Sequence, residues 1–553
     1  MTARMGAPSP EGGRSPFPEG KRDCLALAAV CLASAAVFLA LVLPAMPHGP
    51  VLGIGQDEWH NMARGLRALH ERLDPAYFIH PALYYEALAG LYGLHRAVLA
   101  WTEALGGGTY LDYFVGHEAQ LLDLARYASA AFGALSASAA AWLGFELGGW
   151  AAAGVAGLLV AALPLHVSYG TFIRGDTLSL ALFLVGAALI ARRARSVTRV
   201  DLLAASVGIG LAAAANYPGA LLLGLLAAVE PGGWRERLLS VGKAAGVAFG
   251  VFLLLNPYVL IDLPRFLAGF GFQAGAALST HPHAGEPSVL RYLRVLLGQG
   301  WPCVAAAGAG LAVAVAGRGV GRACAVFGLA YLVLFSFLKT QYDRFMLPGL
   351  ALLVVAGAAE ALRRLDAALE GRSRLARAAP AAVLCAAMLV TAVARSRTQD
   401  PRRRVGESDY RAEMLGWMLS HLPSHATLVL ESDTLPLLQT TLSPGGAFSA
   451  GLREAFRRKY PQVPERVIKV QYIGGVVGYE PSLLEEEGGY FLVSTLNQSF
   501  LLAHRQEYPW ATAFFLGLDR RGSVVHRTRG TQEALLLYKI VKQPGQRIPP
   551  NSL

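Results

Sequence analysis

Two adjacent carboxylates, Asp57 and Glu58, stand in the segment Gly55-Gln56-Asp57-Glu58-Trp59-His60, just past the first long apolar run of the chain. Carboxylates that close to an apolar segment are costly unless they are solvated or used. They open a stretch over 59–72 with the pattern of an amphipathic helix. One acid can take the proton of an attacking hydroxyl while the other orients it. An Asp ahead of a helical run also caps the helix, and that reading stands beside the catalytic one. Further along, Tyr77-Phe78-Ile79-His80-Pro81-Ala82-Leu83-Tyr84-Tyr85 sets His80 and Tyr84 where an apolar segment begins. Pro there starts a helix, and His and Tyr suit an interfacial belt as well as a ligand. In Arg174-Gly175-Asp176 the planar guanidinium fork suits a phosphate, or the neighbouring acid in a structural pair. Lys339-Thr340-Gln341-Tyr342-Asp343-Arg344 joins two apolar segments. Its two cations fit an anionic ligand, or they are stems that snorkel from helix ends. His281-Pro282-His283 with Glu286 offers two possible zinc ligands without a defined third, so it is not assigned as a metal site.

The elements that must position these groups are membrane helices. Of 553 residues, 54% are hydrophobic and 16% charged, with a mean hydropathy of +0.40. Soluble domains carry about a quarter charged residues. Apolar segments occur at 24–44, 82–103, 119–146, 149–164, 176–191, 201–214, 217–229, 241–258, 290–315, 322–338, 345–362 and 378–395. A span needs roughly 20 apolar residues, so the expectation is a mainly α, polytopic helix bundle of roughly 11–13 spans. The net charge of +11 comes from short Arg clusters between those segments, the mark of cytoplasmic loops rather than of nucleic-acid binding. Cys24, Cys31, Cys303, Cys324 and Cys385 all lie in or beside apolar segments, so no disulfide framework is expected.

Charge fixes an expected topology. Lys21-Arg22 hold the N-terminus inside, behind a retained first span and a disordered cytoplasmic tail, 1–22. Clusters at Arg192, Arg193 and Arg195, at Arg235, Arg237 and Lys243, at Arg318 and Arg322, and from Arg363 to Arg377 mark further inner loops. The membrane domain covers 23–398, with a first outer loop at 45–81. Residues 399–553 form an outer domain, with a basic collar at 400–404. Helical periodicity over 410–422 and strand-like runs at Thr427–Glu431, Tyr490–Ser494 and Ala534–Ile540 give it an α/β character. The topology has a parity problem. Asp57 and Asp176 both belong outside, yet three apolar segments separate them. Either 82–103, which carries Glu86, His95 and Arg96, or 149–164 fails to cross.

Taken in order, these motifs resemble the GT-C superfamily of polytopic glycosyltransferases, above all the family 39-like protein O-mannosyltransferase and aminoarabinose-transferase type. The carriers are Asp57-Glu58 after the first span, His80-Pro81 with Leu83-Tyr84-Tyr85, Arg126 opening the third segment, Arg174-x-Asp176, and Gln341-Tyr342-Asp343-Arg344-Phe345-Met346-Leu347-Pro348. The likeness covers roughly 20–400. It implies an inverting enzyme of the plasma membrane that takes a sugar from a polyprenyl-phosphate donor. The acceptor would be a protein, a glycolipid or a cell-surface glycan at the outer face. It also implies Asp57 as base with Glu58 in support, Asp176 as the second acid, and Arg174, Lys339 and Arg344 near the lipid phosphate. His80, Tyr84 and Tyr342 join them as substrate contacts. No cofactor is required, and a divalent metal is optional. The chain departs from the family at His80-Pro81-Ala82, where many members have Pro-Pro, and at Asn216-Tyr217, where relatives often carry Lys. It also lacks MIR-type repeats. The alternatives are an oligosaccharyltransferase or ligase using a diphosphate-linked glycan, and a non-enzymatic lipid or solute transporter.

Overall fold

A computed structural model describes residues 21–47, 56–74, 77–278, 289–370, 410–431, 446–461, 466–470, 489–506, 509–529 and 534–540, with a few short pieces between them. The His281, His283 and Glu286 group, the collar at 400–404, and the tail apart from Lys21 and Arg22 lie outside the described residues.

Among the described residues six helices are long and apolar enough to cross a membrane, and two shorter apolar ones pack among them. The chain is thus a multi-pass membrane protein whose bundle has two ends. α1 (Lys21–Val42) leads toward the end that holds Asp57. α5 (Glu118–Ala161) is one helix by name only. At Gly149 its backbone turns left-handed (φ 76°), a conformation that costs Gly little. The halves then run back along each other: a Cβ at Gly157 would lie 2.9 Å from that of Ala141, and one at Gly144 2.6 Å from that of Ala156. The segments 119–146 and 149–164 are therefore two passes. α6 (Pro164–Gly170) and a turn lead to α7 (Asp176–Ser196), and α8 (Arg199–Ala215) returns. α9 (Leu222–Val229), α10 (Trp234–Leu255) and the helices Trp301–Ala316, Gly319–Ser336 and Leu347–Ala368 complete the described bundle. At the far end Arg193 pairs with Glu230 (2.6 Å), Arg195 with Glu146, and Arg192 with Asp201 (3.0 Å).

The parity problem resolves at 82–103. α3 (Leu83–Trp101) does not run with the bundle. With α2 (Gln56–His70) and α4 (Tyr110–Gly116) it forms a layer over the Asp57 end. Trp59, Met62, Leu88 and Tyr92 of this layer share one apolar core with Met414, Leu428, Leu452 and Leu535 of the C-terminal domain. Polar contacts hold the seam: Arg458 pairs with Asp112 at 2.5 Å, and the Lys459 ammonium donates to the Val115 carbonyl.

The C-terminal domain is α/β, as expected. Its five-stranded sheet has the order β2-β1-β5-β7-β6. β1 (Thr427–Glu431) runs parallel to β2 (Arg466–Val470) and to β5 (Tyr490–Ser494). β7 (Ala534–Ile540) is antiparallel to both β5 and β6 (Gly522–Arg529). A separate two-stranded ribbon pairs β3 (Tyr472–Ile473) with β4 (Val476–Val477). The helix Tyr410–His421 falls where periodicity placed it.

Candidate active site

The site is assembled around the first turn of α2. Asp57 and Glu58 are neighbours in sequence and point to different partners. Glu58 is 2% exposed and receives a two-pronged clasp from Arg126, itself fully buried: Nε donates to Oε1 at 2.9 Å and Nη2 to Oε2 at 2.7 Å. Arg126 also donates to the Pro47 carbonyl and to Asp123 (both 3.1 Å). The Ile173 N–H donates to Glu58 Oε1 at 3.0 Å, and the Asn61 amide donates to the Ile173 carbonyl at 2.8 Å. Both backbone groups of Ile173 are thus held by α2. The carboxylate of Glu58 is fully engaged, which makes it a positioning residue.

That clasp fixes the next residue, Arg174, against Asp57. The guanidinium donates to Asp57 Oδ2 in a tight ion pair. Asp57 keeps 48% of its side chain open, as a group lining a cleft does. Burial among protein atoms pushes its carboxyl up. The guanidiniums of Arg174 and Arg344, aided by His60 and Arg64, outweigh burial and hold the pKa well below the usual carboxylate range. Asp57 is therefore ionised at neutral pH.

The remaining groups converge from distant elements. Asp176, at the start of α7, faces Arg344 at 3.8 Å. Arg344 comes from a short 3-10 turn, Asp343–Met346, and lies 4.1 Å from the Tyr342 ring centroid. Arg291 fixes that turn through Asp343 at 3.1 Å. His80 sits in the loop before α3, which Asn256 anchors by accepting from the Ala82 N–H at 2.6 Å. The Tyr217 hydroxyl donates to the Phe78 carbonyl in the same loop at 2.8 Å. Burial, then the charges of Arg344 and Arg64, push the His80 imidazole down to about 4, so it is neutral at pH 7. Tyr84 is buried beneath the site, with its hydroxyl 3.2 Å from Ser129 Oγ.

Of the residues singled out by sequence, the structure thus brings Asp57, His80, Arg174, Asp176, Tyr342 and Arg344 together, with Glu58 and Tyr84 beneath them. Lys339 stands apart. Its side chain is exposed and makes no ion pair among the described residues, while its backbone N–H donates to the Ala277 carbonyl at 3.1 Å. Sequence reasoning missed Arg64. That guanidinium lies 3.3 Å from the Tyr77 ring centroid and donates to Tyr85 Oη (3.3 Å) and Asn61 Oδ1 (3.4 Å). A helical wheel carried the signal, because His60, Asn61 and Arg64 follow Asp57 at i+3, i+4 and i+7 on α2. Among the described residues no group of three or more His, Cys, Asp or Glu side chains is placed to hold a metal.

A helix bundle capped by an α/β domain is the architecture that the resemblance to the GT-C superfamily implies, and solved structures share this fold. No protein-family model matches the chain, and no curated protein matches it by sequence. ArnT from Cupriavidus metallidurans, bound to undecaprenyl phosphate, aligns with 93% of this chain and 97% of its own, at 16% identity and a TM-score of 0.52. Its apo form aligns with a TM-score of 0.53 at 15% identity, over 93% of this chain and 98% of its own. The archaeal oligosaccharyltransferase AglB from Archaeoglobus fulgidus, in complex with an inhibitory peptide and a dolichol-phosphate, covers 96% of this chain with 76% of its own, at 12% identity and a TM-score of 0.51. At such identities the likeness is one of fold.

Proposed function

We propose that the chain is a membrane-embedded, inverting glycosyltransferase that moves a sugar from a polyprenyl-phosphate carrier to an acceptor at the outer face of the plasma membrane. The acceptor is a protein, a glycolipid or a surface glycan, and the C-terminal domain lies on the same side. The observation that carries this reading is Asp57: an ionised carboxylate with open surface, beside guanidiniums drawn from three separate elements. The fold is shared with proteins whose solved structures hold undecaprenyl phosphate and dolichol-phosphate, which fits a lipid-phosphate donor.

In this reading the acceptor hydroxyl gives its proton to Asp57 as its oxygen bonds to the anomeric carbon. The carbon–oxygen bond to the phosphate breaks on the opposite face, and its electron pair leaves with the phosphate. Arg174 and Arg344 meet the charge that builds there, where fixed cations matter most in the transition state. Arrival of the phosphate also draws Arg174 away from Asp57, which lifts the carboxylate's basicity when it is needed. Neutral His80 and Tyr342 are placed to contact the substrate, and Asp176 orients Arg344.

The test is Asp57→Asn in the full-length protein, with protein level and thermal stability matched to the native chain. Loss of transfer from polyprenyl-phosphate sugar is expected, and undiminished transfer would sink the assignment. The guanidiniums carry the leaving charge, so the chemistry needs no metal. Treatment with a chelator is expected to leave transfer unchanged, whereas loss restored by a divalent ion would favour a diphosphate-using oligosaccharyltransferase.

A further inference from the structure

Arg64 differs from its neighbours. Around the site Arg126 pairs with Glu58 and Asp123, Arg174 with Asp57, Arg291 with Asp343, and Arg344 with Asp176. Arg64 is only partly exposed, yet among the described residues no carboxylate lies within ion-pair distance of it, and the charge of Asp57 reaches it only through space. Neutral groups orient it instead: the Tyr77 ring beneath, and Tyr85 Oη and Asn61 Oδ1 at its edge through Nη1. A guanidinium removed from bulk water without a counter-ion is unfavourable, and stacking on an aromatic face offsets that only in part. Its stem is locked in one geometry while, among the described residues, Nε and Nη2 have no hydrogen-bond acceptor. This is the state of a cation awaiting a planar or tetrahedral anion.

Its location selects the substrate. Arg174 and Arg344 come from the turn after α6 and the turn before the helix Leu347–Ala368, and both carry carboxylates that a donor phosphate can displace. Arg64 shares with Asp57 one face of α2, two helical turns apart. A base must touch the acceptor hydroxyl, so a cation on the same helix face borders the acceptor's side of the base. We propose that Arg64 forms a second anion subsite, distinct from the donor-phosphate site, and that the acceptor carries an acidic group near the hydroxyl it offers. This rests on the glycosyltransferase reading.

The experiment uses purified full-length protein and two probes. Undecaprenyl phosphate reports the donor site. With that site saturated, glycerol 1-phosphate, a hydroxyl beside an anion, reports the second, and glycerol is the uncharged control. In the native chain undecaprenyl phosphate raises the Tm, glycerol 1-phosphate raises it further, and glycerol does not. Arg64→Gln keeps the first rise and weakens glycerol 1-phosphate binding about ten-fold or more, the loss expected for charge-assisted hydrogen bonds. Arg64→Lys, which keeps the charge but loses the fork, falls between them and serves if the Gln variant does not fold. The proposal is overturned if glycerol 1-phosphate never binds the loaded native protein, or binds Arg64→Gln equally well. It is equally overturned if the substitution removes undecaprenyl phosphate binding, since Arg64 would then serve the donor. Failure of the native chain to bind undecaprenyl phosphate at all would strike the function reading itself.

Discussion

Two ion-pair clusters lie side by side under the first turn of α2, and they are built in opposite ways. In the knot around Arg126 the guanidinium and the Glu58 carboxylate are buried, Asp123 alone is partly open, and each guanidinium nitrogen has an acceptor. In the cluster around Arg174 the carboxylates keep open surface, and the pair between Arg344 and Asp176 is long at 3.8 Å. Closed pairs fix a backbone; open pairs can exchange partners with a ligand. One peptide bond separates the two behaviours, because Glu58 faces the bundle while Asp57 faces the cleft.

Substitutions can break that contrast. Asp57→Asn should cost most in activity, about 10²- to 10⁴-fold in transfer rate, the usual worth of a general base. Thermal stability should fall less than in Glu58→Gln, because the pair is half open to solvent, and a drop in Tm as large as that variant's would move Asp57 into the structural class. Glu58→Gln should do the reverse. It leaves the buried Arg126 with the partly open Asp123 as its remaining counter-ion, at a cost of about 3 kcal/mol, read as a large fall in Tm and yield. A Glu58→Gln protein that folds normally but cannot transfer would erase the distinction.

Smaller effects sharpen it. His80 belongs to the open cluster, and its pKa is depressed to about 4. Below the unfolded-state value of about 6.5 the unfolded chain takes up a proton that the folded chain refuses, so stability falls as pH drops toward 4. His80→Asn should flatten the stability profile across that window, by at most about 3 kcal/mol, and an unaltered profile would count against it. Tyr84→Phe removes one buried hydroxyl contact, with Ser129. A loss of about 1 kcal/mol in stability is expected, with transfer kinetics intact. A large fall in rate would place Tyr84 among the substrate contacts.

The sequence made much of this legible because membranes impose length, hydropathy and charge rules on a chain. The passes and the strands β1, β5 and β7 followed from local pattern, whereas Arg174, expected to meet a phosphate or Asp176, pairs with Asp57 across 117 residues. Three things did not. α3 is nearly as apolar as a span, yet it packs under the C-terminal domain, a tertiary partnership that no window of sequence reveals. Glu58 and Arg126 are 68 residues apart, so only the fold shows that this acid is spent on structure. Asn256 seats the His80 loop across 174 residues with no motif of its own. Arg64 was readable on the helical wheel and was overlooked, while Lys339 was put forward for its charge alone, and charge does not tell which way a stem points.

Gly149 decides more than the shape of one helix. The chain reverses there on a single left-handed residue, and every later segment inherits its sidedness from that event. Were the helix to run straight through, α6 would emerge at the end opposite Asp57, carrying Arg174 and Asp176 away from their partners. The whole downstream chain, Arg344 included, would thread upside down. A residue with no side chain, half-buried three positions past the Glu146 that pairs with Arg195, thus acts as the keystone of chemistry performed across the full thickness of the bundle.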